Sequence, residues 1–148
     1  IIIGGSVDLH PLVMLIAVCN YHMVPAYARD DIRGATRIIE SLEKEGEIIL
    51  SPGGAQVILH YYKGENRIET YAPRFVGREE AVRRLSEQIP ARGAIWYVGS
   101  RQWDMDPEGA LPGLLSSRAD SVMSWELPGV KLSRYIFSED GGPVDPAR

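Results

Sequence analysis

The sequence predicts an α/β fold: a small three-layer, Rossmann-like sheet, mostly parallel, with an antiparallel hairpin at its C-terminal end. Segments 48–50 and 94–98 are almost wholly apolar, which is typical of strands that helices cover on both faces. A stretch of helical periodicity precedes each of them. This alternation is typical of right-handed parallel crossovers, so we expect a layered domain around one sheet.

Composition and charge narrow the range of functions. The chain has 148 residues, 45% of them hydrophobic, which suits one ordinary core. The formal net charge is −4 and no run of Lys or Arg occurs, so nucleic acid is not expected as a partner. The single cysteine, Cys19, cannot form an internal disulfide, and the three histidines lie far apart without ligand-spaced neighbours. We therefore expect neither a metal site nor a cofactor.

Residues 1–27 differ in character from the rest of the chain. They contain no Lys or Arg, and 12–19 is an uninterrupted apolar run. This run is shorter than the roughly 20 residues that cross a bilayer, and the basic start of a signal peptide is missing. Two interpretations stay open from the residues alone. One is the last part of a transmembrane helix, with Tyr21 and Tyr27 at the interface where aromatic rings settle; the other is a first strand or core helix of a soluble domain.

An amphipathic helix is predicted after residue 28, where the composition becomes charged. Asp30 or Asp31 suits its N-cap, and Gly46 suits its C-terminal end. Its apolar residues recur at spacings of three and four and would face a core: Ile32, Ala35, Ile39 and Leu42. The helix would lead directly into strand 48–50.

Segment 47–62 contains this first strand and a glycine turn. Pro52 has no N–H for a sheet ladder, and Gly53 and Gly54 tolerate positive φ, so the strand must end here. Two interpretations of 55–63 stay open. The first is a helix that lies back over the sheet, and the alternative is the second strand of a hairpin, because this segment also contains good strand formers.

The alternation continues after residue 63. We expect an edge strand at 68–71, followed by an amphipathic helix at 78–89 that ends before Pro90. Strand 94–98 then returns to the centre of the sheet.

The C-terminal part predicts a short helix and two antiparallel strands. Asp106 suits the N-cap of the helix, which Pro112 and Gly113 would shorten or kink. The connection between strands 121–125 and 130–137 is too short for a parallel crossover. Residues 139–148 show no core-forming pattern and predict a flexible tail.

Two loops are candidates for ligand binding, because the carboxyl ends of parallel strands meet at one edge of a sheet. The first is the glycine turn 51–56, whose free amides can hold an anion although neither common phosphate-loop motif is matched. The second is segment 100–106, where Trp103 is the tryptophan expected outside the core. The predicted ligand-binding residues are Ser51, Gly53, Gly54, Gln56, Arg101, Trp103, Asp104 and Asp106.

No residue is predicted to be catalytic. Asp104 and Asp106 would point apart in an extended segment, so helix capping and solvation are favoured over a catalytic pair. Ser100 has no neighbouring histidine, and no G-x-S-x-G motif occurs.

The order of these elements resembles the soluble C-terminal domain of polytopic membrane glycosyltransferases of the dolichyl-phosphate-mannose protein mannosyltransferase and aminoarabinose transferase type. The resemblance spans about residues 12–138. It is carried by 12–27, Asp30-Asp31-Ile32-Arg33-Gly34-Ala35, Gly46-Glu47-Ile48-Ile49-Leu50, Tyr61-Tyr62, Ile95-Trp96-Tyr97-Val98 and Leu127-Pro128-Gly129-Val130-Lys131-Leu132. Ile32 stands where the family's motif has a tryptophan. The resemblance favours a helix at 55–63 and a membrane exit at 12–27.

The resemblance implies an appended domain without a catalytic role. Such enzymes transfer a sugar from a polyprenyl-phosphate carrier to an acceptor on the extracytoplasmic side, and their catalytic acid lies in an early loop between membrane helices. That loop is not in this sequence. Residues 1–27 would be the remnant of the last transmembrane helix, 28–138 an extracytoplasmic α/β domain and 139–148 a tail.

The implied partners are the membrane core of the same polypeptide and a glycan or lipid-linked sugar. One alternative is a free-standing Rossmann-like module that binds a nucleotide or phosphorylated ligand at 51–56. A weaker alternative is a small hydrolase that uses Asp104 or Asp106.

Overall fold

One five-stranded mixed sheet organises this computed structural model, which describes residues 12–15 and 30–138. In chain order the elements are α1 (Ile32–Leu42), β1 (Ile48–Leu50), α2 (Ala55–Tyr61), β2 (Arg67–Glu69), α3 (Pro73–Val76), α4 (Arg78–Gln88), β3 (Gly93–Ser100), α5 (Gln102–Met105), α6 (Ala110–Arg118), β4 (Ser121–Leu127) and β5 (Val130–Phe137). The strands are arranged in the order β2-β1-β3-β5-β4. The predicted α/β class is confirmed.

The sheet is parallel at one end and antiparallel at the other. β1 lies between β2 and β3 and pairs with both in the parallel direction. β5 pairs antiparallel with β3 and with β4. The expectation of a mostly parallel sheet therefore holds only for the end formed by β2, β1 and β3.

Helix α1 starts as its sequence predicts. The carboxylate of Asp31, the N-cap residue, accepts a hydrogen bond of 2.8 Å from the Gly34 N–H. The predicted apolar face is buried as far as Ile39. Leu42 was wrongly placed in the core, since it is the last residue of the helix and is exposed. Gly46 does adopt a positive φ, but it lies in the turn before β1 and not at the helix end.

The segment that the sequence left open between helix and strand is a helix, α2. Its buried residue, Ile58, and the buried Tyr62 that follows the helix are four positions apart, whereas Val57 and Leu59 are exposed. This spacing is that of one helix face, since a strand would bury every second residue.

Helices contribute buried side chains to two separate clusters. Trp96 and Val98 of β3 belong to the cluster that contains Ile39 of α1 and Ile58 of α2. The alternate residues of β3, Ile95 and Tyr97, belong to the other cluster, together with side chains of α4 and α6. Successive side chains of a strand point to opposite faces, so both faces of β3 are covered.

Of the N-terminal segment, the structure describes residues 12–15 as a helical turn. Its four apolar side chains are between 53% (Leu12) and 67% (Met14) exposed, so these residues are not part of a core. No helix within the described residues is both long and apolar enough to span a bilayer. The rest of 1–27, with Cys19, and the predicted tail 139–148 lie outside the described residues.

A buried carboxylate joins three strands at the opposite end of the sheet from the candidate loops. Glu47, just before β1, accepts a hydrogen bond of 2.6 Å from the Trp96 indole N–H. It also pairs with the guanidinium of Arg134 on β5, which lies 5.1 Å from the centroid of the Trp96 ring. Because a buried charge needs a partner, these contacts fix β1 against β3 and β5.

We expect Glu47→Leu to lower the free energy of unfolding by about 3–5 kcal/mol, because the buried Arg134 guanidinium then loses its counter-charge. The double variant Glu47→Leu/Arg134→Met should recover much of this loss, since no unpaired charge remains. Urea unfolding followed by circular dichroism measures both values. Glu65→Gln, at an exposed carboxylate, is the control and should change stability by less than about 0.5 kcal/mol. If Glu47→Leu lowers the free energy of unfolding no more than the control does, Glu47 does not stabilise the sheet in this way.

Candidate functional site

The turn after β1 and the segment after β3 meet at one edge of the sheet, because the two strands are parallel neighbours. Met105 lies so close to Gly53 that a Cβ at Gly53 would overlap the Met105 side chain. Antiparallel β5 begins at the same edge, since Val130 is paired with Ser100. We call this region the carboxyl edge; it comprises residues 51–54, 73–78, 100–110 and 128–130.

The glycine turn at this edge is largely occupied by internal contacts. The Ser51 hydroxyl donates a hydrogen bond of 3.3 Å to the Val98 carbonyl, and the Ser51 N–H donates to the Glu69 carbonyl. Met105 covers Gly53. Gly54 precedes α2, and Gln56 is exposed in the first turn of that helix. These contacts leave the Ser51 hydroxyl committed to the fold, which weakens the hypothesis of phosphate binding at 51–56.

After β3 the chain turns sharply at Arg101. Its φ of 51° and ψ of 36° make it the one non-glycine residue with positive φ in the described part of the chain. α5 follows immediately, so the extended segment expected here was wrong. The turn places Trp103 in solvent with 75% of its surface exposed. The Arg101 guanidinium lies 5.8 Å from the centroid of the Trp103 ring.

Asp104 holds two arginines together. It pairs with Arg74 of α3 and, at 3.1 Å, with Arg101. Its side chain is only 12% exposed, whereas both guanidiniums are about half exposed. Asp104 therefore fixes two cationic groups at the surface. Sequence reasoning missed Arg74, and the available signal was Pro73 at the first position of a short helix.

Asp106 has a different role. Its buried carboxylate accepts hydrogen bonds of 2.9 Å from the N–H groups of Ala110 and Leu111 at the start of α6. The prediction of Asp106 as the N-cap residue was wrong, since the helix starts at Ala110 and Gly109 occupies the N-cap position, but Asp106 does bind free N–H groups of the first turn. Asp104 and Asp106 thus have separate partners and do not form a carboxylate pair.

A cleft of about 270 Å³ opens beside these residues. Pro73, Arg74 and Arg78 line one side, and the segment 104–110 lines the other. Arg78 and Glu108 form an ion pair of 2.6 Å across it. The exposed lining of the cleft is mostly apolar, and its two guanidiniums are paired with Asp104 and Glu108.

A tyrosine hydroxyl is buried close to Asp106. Burial raises the pKa of Tyr97, and the negative charge of Asp106 raises it further. The hydroxyl has no hydrogen-bond partner within residues 30–138. It therefore stays protonated at neutral pH.

Metal ligands do not gather in the described residues: no group of three or more His, Cys, Asp or Glu side chains is placed to hold an ion there. His60 is exposed on α2, while His10 and His22 lie outside residues 30–138. No family model, no curated protein and no solved structure matches this chain. The contacts of the carboxyl edge are therefore the basis on which its function is inferred.

We expect Asp106→Ala to lower the free energy of unfolding by about 2 kcal/mol, because two N–H groups at the start of α6 lose their acceptor. Asp106→Asn keeps one side-chain oxygen, so its free energy of unfolding should fall by less. Asp104→Asn is the matched control, because ion pairs with exposed arginines contribute about 1 kcal/mol or less. Urea unfolding of the three variants gives the comparison. The capping role is contradicted if Asp106→Ala unfolds at the same urea concentration as the unchanged chain.

Proposed function

We propose that this chain is the non-catalytic extracytoplasmic domain of a membrane glycosyltransferase that moves a sugar from a polyprenyl-phosphate carrier to an acceptor. In this proposal residues 1–27 are the end of the last transmembrane helix. Residues 28–138 form a small three-layer, Rossmann-like domain with a C-terminal antiparallel hairpin. The resemblance supports this, because its segments 30–35 and 95–98 fall at the start of α1 and within β3.

The proposal rests on the hydrogen bonds and ion pairs of the carboxylates at the carboxyl edge. Asp106 accepts two backbone hydrogen bonds, Asp104 is paired with two guanidiniums, and Glu108 is paired with Arg78. A general acid or base must exchange a proton with the substrate in at least one step. Asp104 and Asp106, the two carboxylates considered for a hydrolase, are instead held by structural partners, which favours binding over catalysis and weakens that hypothesis.

The exposed groups beside these carboxylates suit a glycan or a lipid-linked sugar. Trp103 offers a flat apolar face on which a pyranose ring can stack while its edge stays in water. Arg74 and Arg101 supply planar sets of donors that match sugar hydroxyls and phosphate oxygens. The adjoining cleft leaves room for such groups. Sugar binding here would leave the chemical step to the membrane part of the same polypeptide.

The coding sequence upstream of Ile1 tests the membrane part of the proposal. We expect it to encode several further apolar segments of about 20 residues each, because the proposed active site lies between membrane helices. Sequencing the gene and its transcript provides the measurement. A start codon immediately before Ile1 would overturn the proposal.

We expect Trp103→Ala to weaken binding of a water-soluble, short-chain polyprenyl-phosphate sugar about 3- to 10-fold, because aromatic stacking contributes roughly 0.5–1.5 kcal/mol beyond buried area. Trp103→Phe should retain part of the affinity. Trp125→Phe, at an indole of β4 that stacks on Trp96, is the control. Isothermal titration calorimetry measures the dissociation constants. If Trp103→Ala and the unchanged chain bind the sugar phosphate with the same dissociation constant, Trp103 does not take part in binding.

A further inference from the structure

The N-terminal segment joins the described domain at the carboxyl edge. The Asp30 carboxylate accepts a hydrogen bond from the hydroxyl of Ser100, the last residue of β3. The Asp31 N–H donates a hydrogen bond of 2.8 Å to the Pro128 carbonyl. Asp30 also fits against Gly129, where a positive φ and the missing side chain permit the close approach. A surface that binds the residues before 30 therefore lies next to the carboxyl edge.

Aromatic and cationic side chains are exposed together near that junction. Trp103 and Phe75 are 75% and 72% exposed. The guanidiniums of Arg101 and Arg74 lie 5.8 and 5.9 Å from the respective ring centroids. The Arg74–Asp104 ion pair joins α3 to α5, so the four residues belong to one surface. We call Arg74, Phe75, Arg101 and Trp103 the aromatic–arginine surface.

This combination of groups matches the chemistry of a phospholipid headgroup layer. Indole and phenyl rings bury apolar area at the boundary with the acyl chains, and indole is favoured there because its N–H stays hydrated. Arginine side chains beside them reach the phosphate oxygens. Arg74 and Arg101 share one carboxylate, Asp104, and each side chain is about half exposed, so N–H donors of both guanidiniums face solvent.

The opposite edge of the sheet has a cleft lined largely by charged residues. The cleft there is lined by four carboxylate residues and by two cationic ones. They are Glu43, Glu45, Glu47, Glu65, Lys44 and Arg67. Glu47 is buried and paired with Arg134, and Arg92 lines an adjoining cleft, so this end of the sheet carries charges of both signs. The exposed aromatic rings of Trp103 and Phe75 lie at the carboxyl edge, which is therefore the end that suits a bilayer.

We propose that the aromatic–arginine surface rests on the phospholipid headgroups of the bilayer that holds the residues before 30. The inference rests on the proposed function, which attaches the N-terminal segment to the membrane. It adds the orientation of the sheet relative to the bilayer. The carboxyl ends of β1 and β3 face the membrane, and the opposite edge of the sheet faces away. A polyprenyl-phosphate sugar can then reach the cleft beside Arg74 while its lipid stays in the bilayer.

Fluorescence quenching by brominated phosphatidylcholine tests this orientation. The whole chain is reconstituted into vesicles of phosphatidylcholine and phosphatidylglycerol, with and without the brominated lipid. The emission of Trp103 is obtained by subtracting the fluorescence of Trp103→Phe from that of the unchanged chain. The subtraction removes the emission of the two other tryptophans: Trp96, which is buried in the core, and Trp125, which stacks on it. The control is Glu65→Trp in the Trp103→Phe background, which places an indole at the opposite edge.

We expect the brominated lipid to quench Trp103 about threefold more than the indole introduced by Glu65→Trp, because only the carboxyl edge reaches the interface. Arg74→Gln/Arg101→Gln should reduce the quenching of Trp103, because the phosphate contacts are lost. Flotation of the same vesicles reports attachment separately. If the chain floats with the vesicles but the two indoles are quenched equally, the orientation is overturned and the proposed function stands. If the chain does not float, the membrane attachment fails, and both proposals fail with it.

Discussion

Glu47 fixes the register on which the carboxyl edge depends. Its buried carboxylate is bonded to Trp96 of β3 and to Arg134 of β5, and Trp96 and Arg134 are themselves paired across the sheet. A slip of one residue would turn the apolar side chains of β1 to the wrong face and leave a charge buried without a partner. The contacts of Glu47 at one end of the sheet therefore determine which residues lie at the carboxyl edge.

The register has direct consequences at the carboxyl edge. It brings the turn at Gly53 against Met105 and places Ser100 where Asp30 can accept its hydrogen bond. The carboxylates there cap α6 and pair with arginines. Arg101 and Trp103 are exposed in the segment that follows Ser100.

Local sequence patterns were sufficient for the elements that are long or strongly apolar. Strand 94–98 and helix α1 followed from a continuous apolar run and from helical periodicity. The segment 55–63 stayed ambiguous because its β-branched and aromatic residues suit both structures, and the burial of Ile58 against the sheet decided it. α3 and α5 are single turns, too short for periodicity, and the ion pair between Arg74 and Asp104 joins residues far apart in sequence. The strand order, which places β5 beside β3, has no local signature either.

A non-catalytic domain can still contribute to a reaction if it raises the local concentration of a substrate and restricts its orientation. In the proposed arrangement, a lipid-linked sugar moves within the bilayer and meets the domain at headgroup depth. Guanidinium groups beside the cleft would then bind the polar part of such a molecule while its lipid remains in place. Such binding directs the sugar towards a reaction site in the membrane without any acid or base on the domain. The proposed division of roles would account for the structural partners of Asp104 and Asp106 at an edge that also exposes aromatic and cationic side chains.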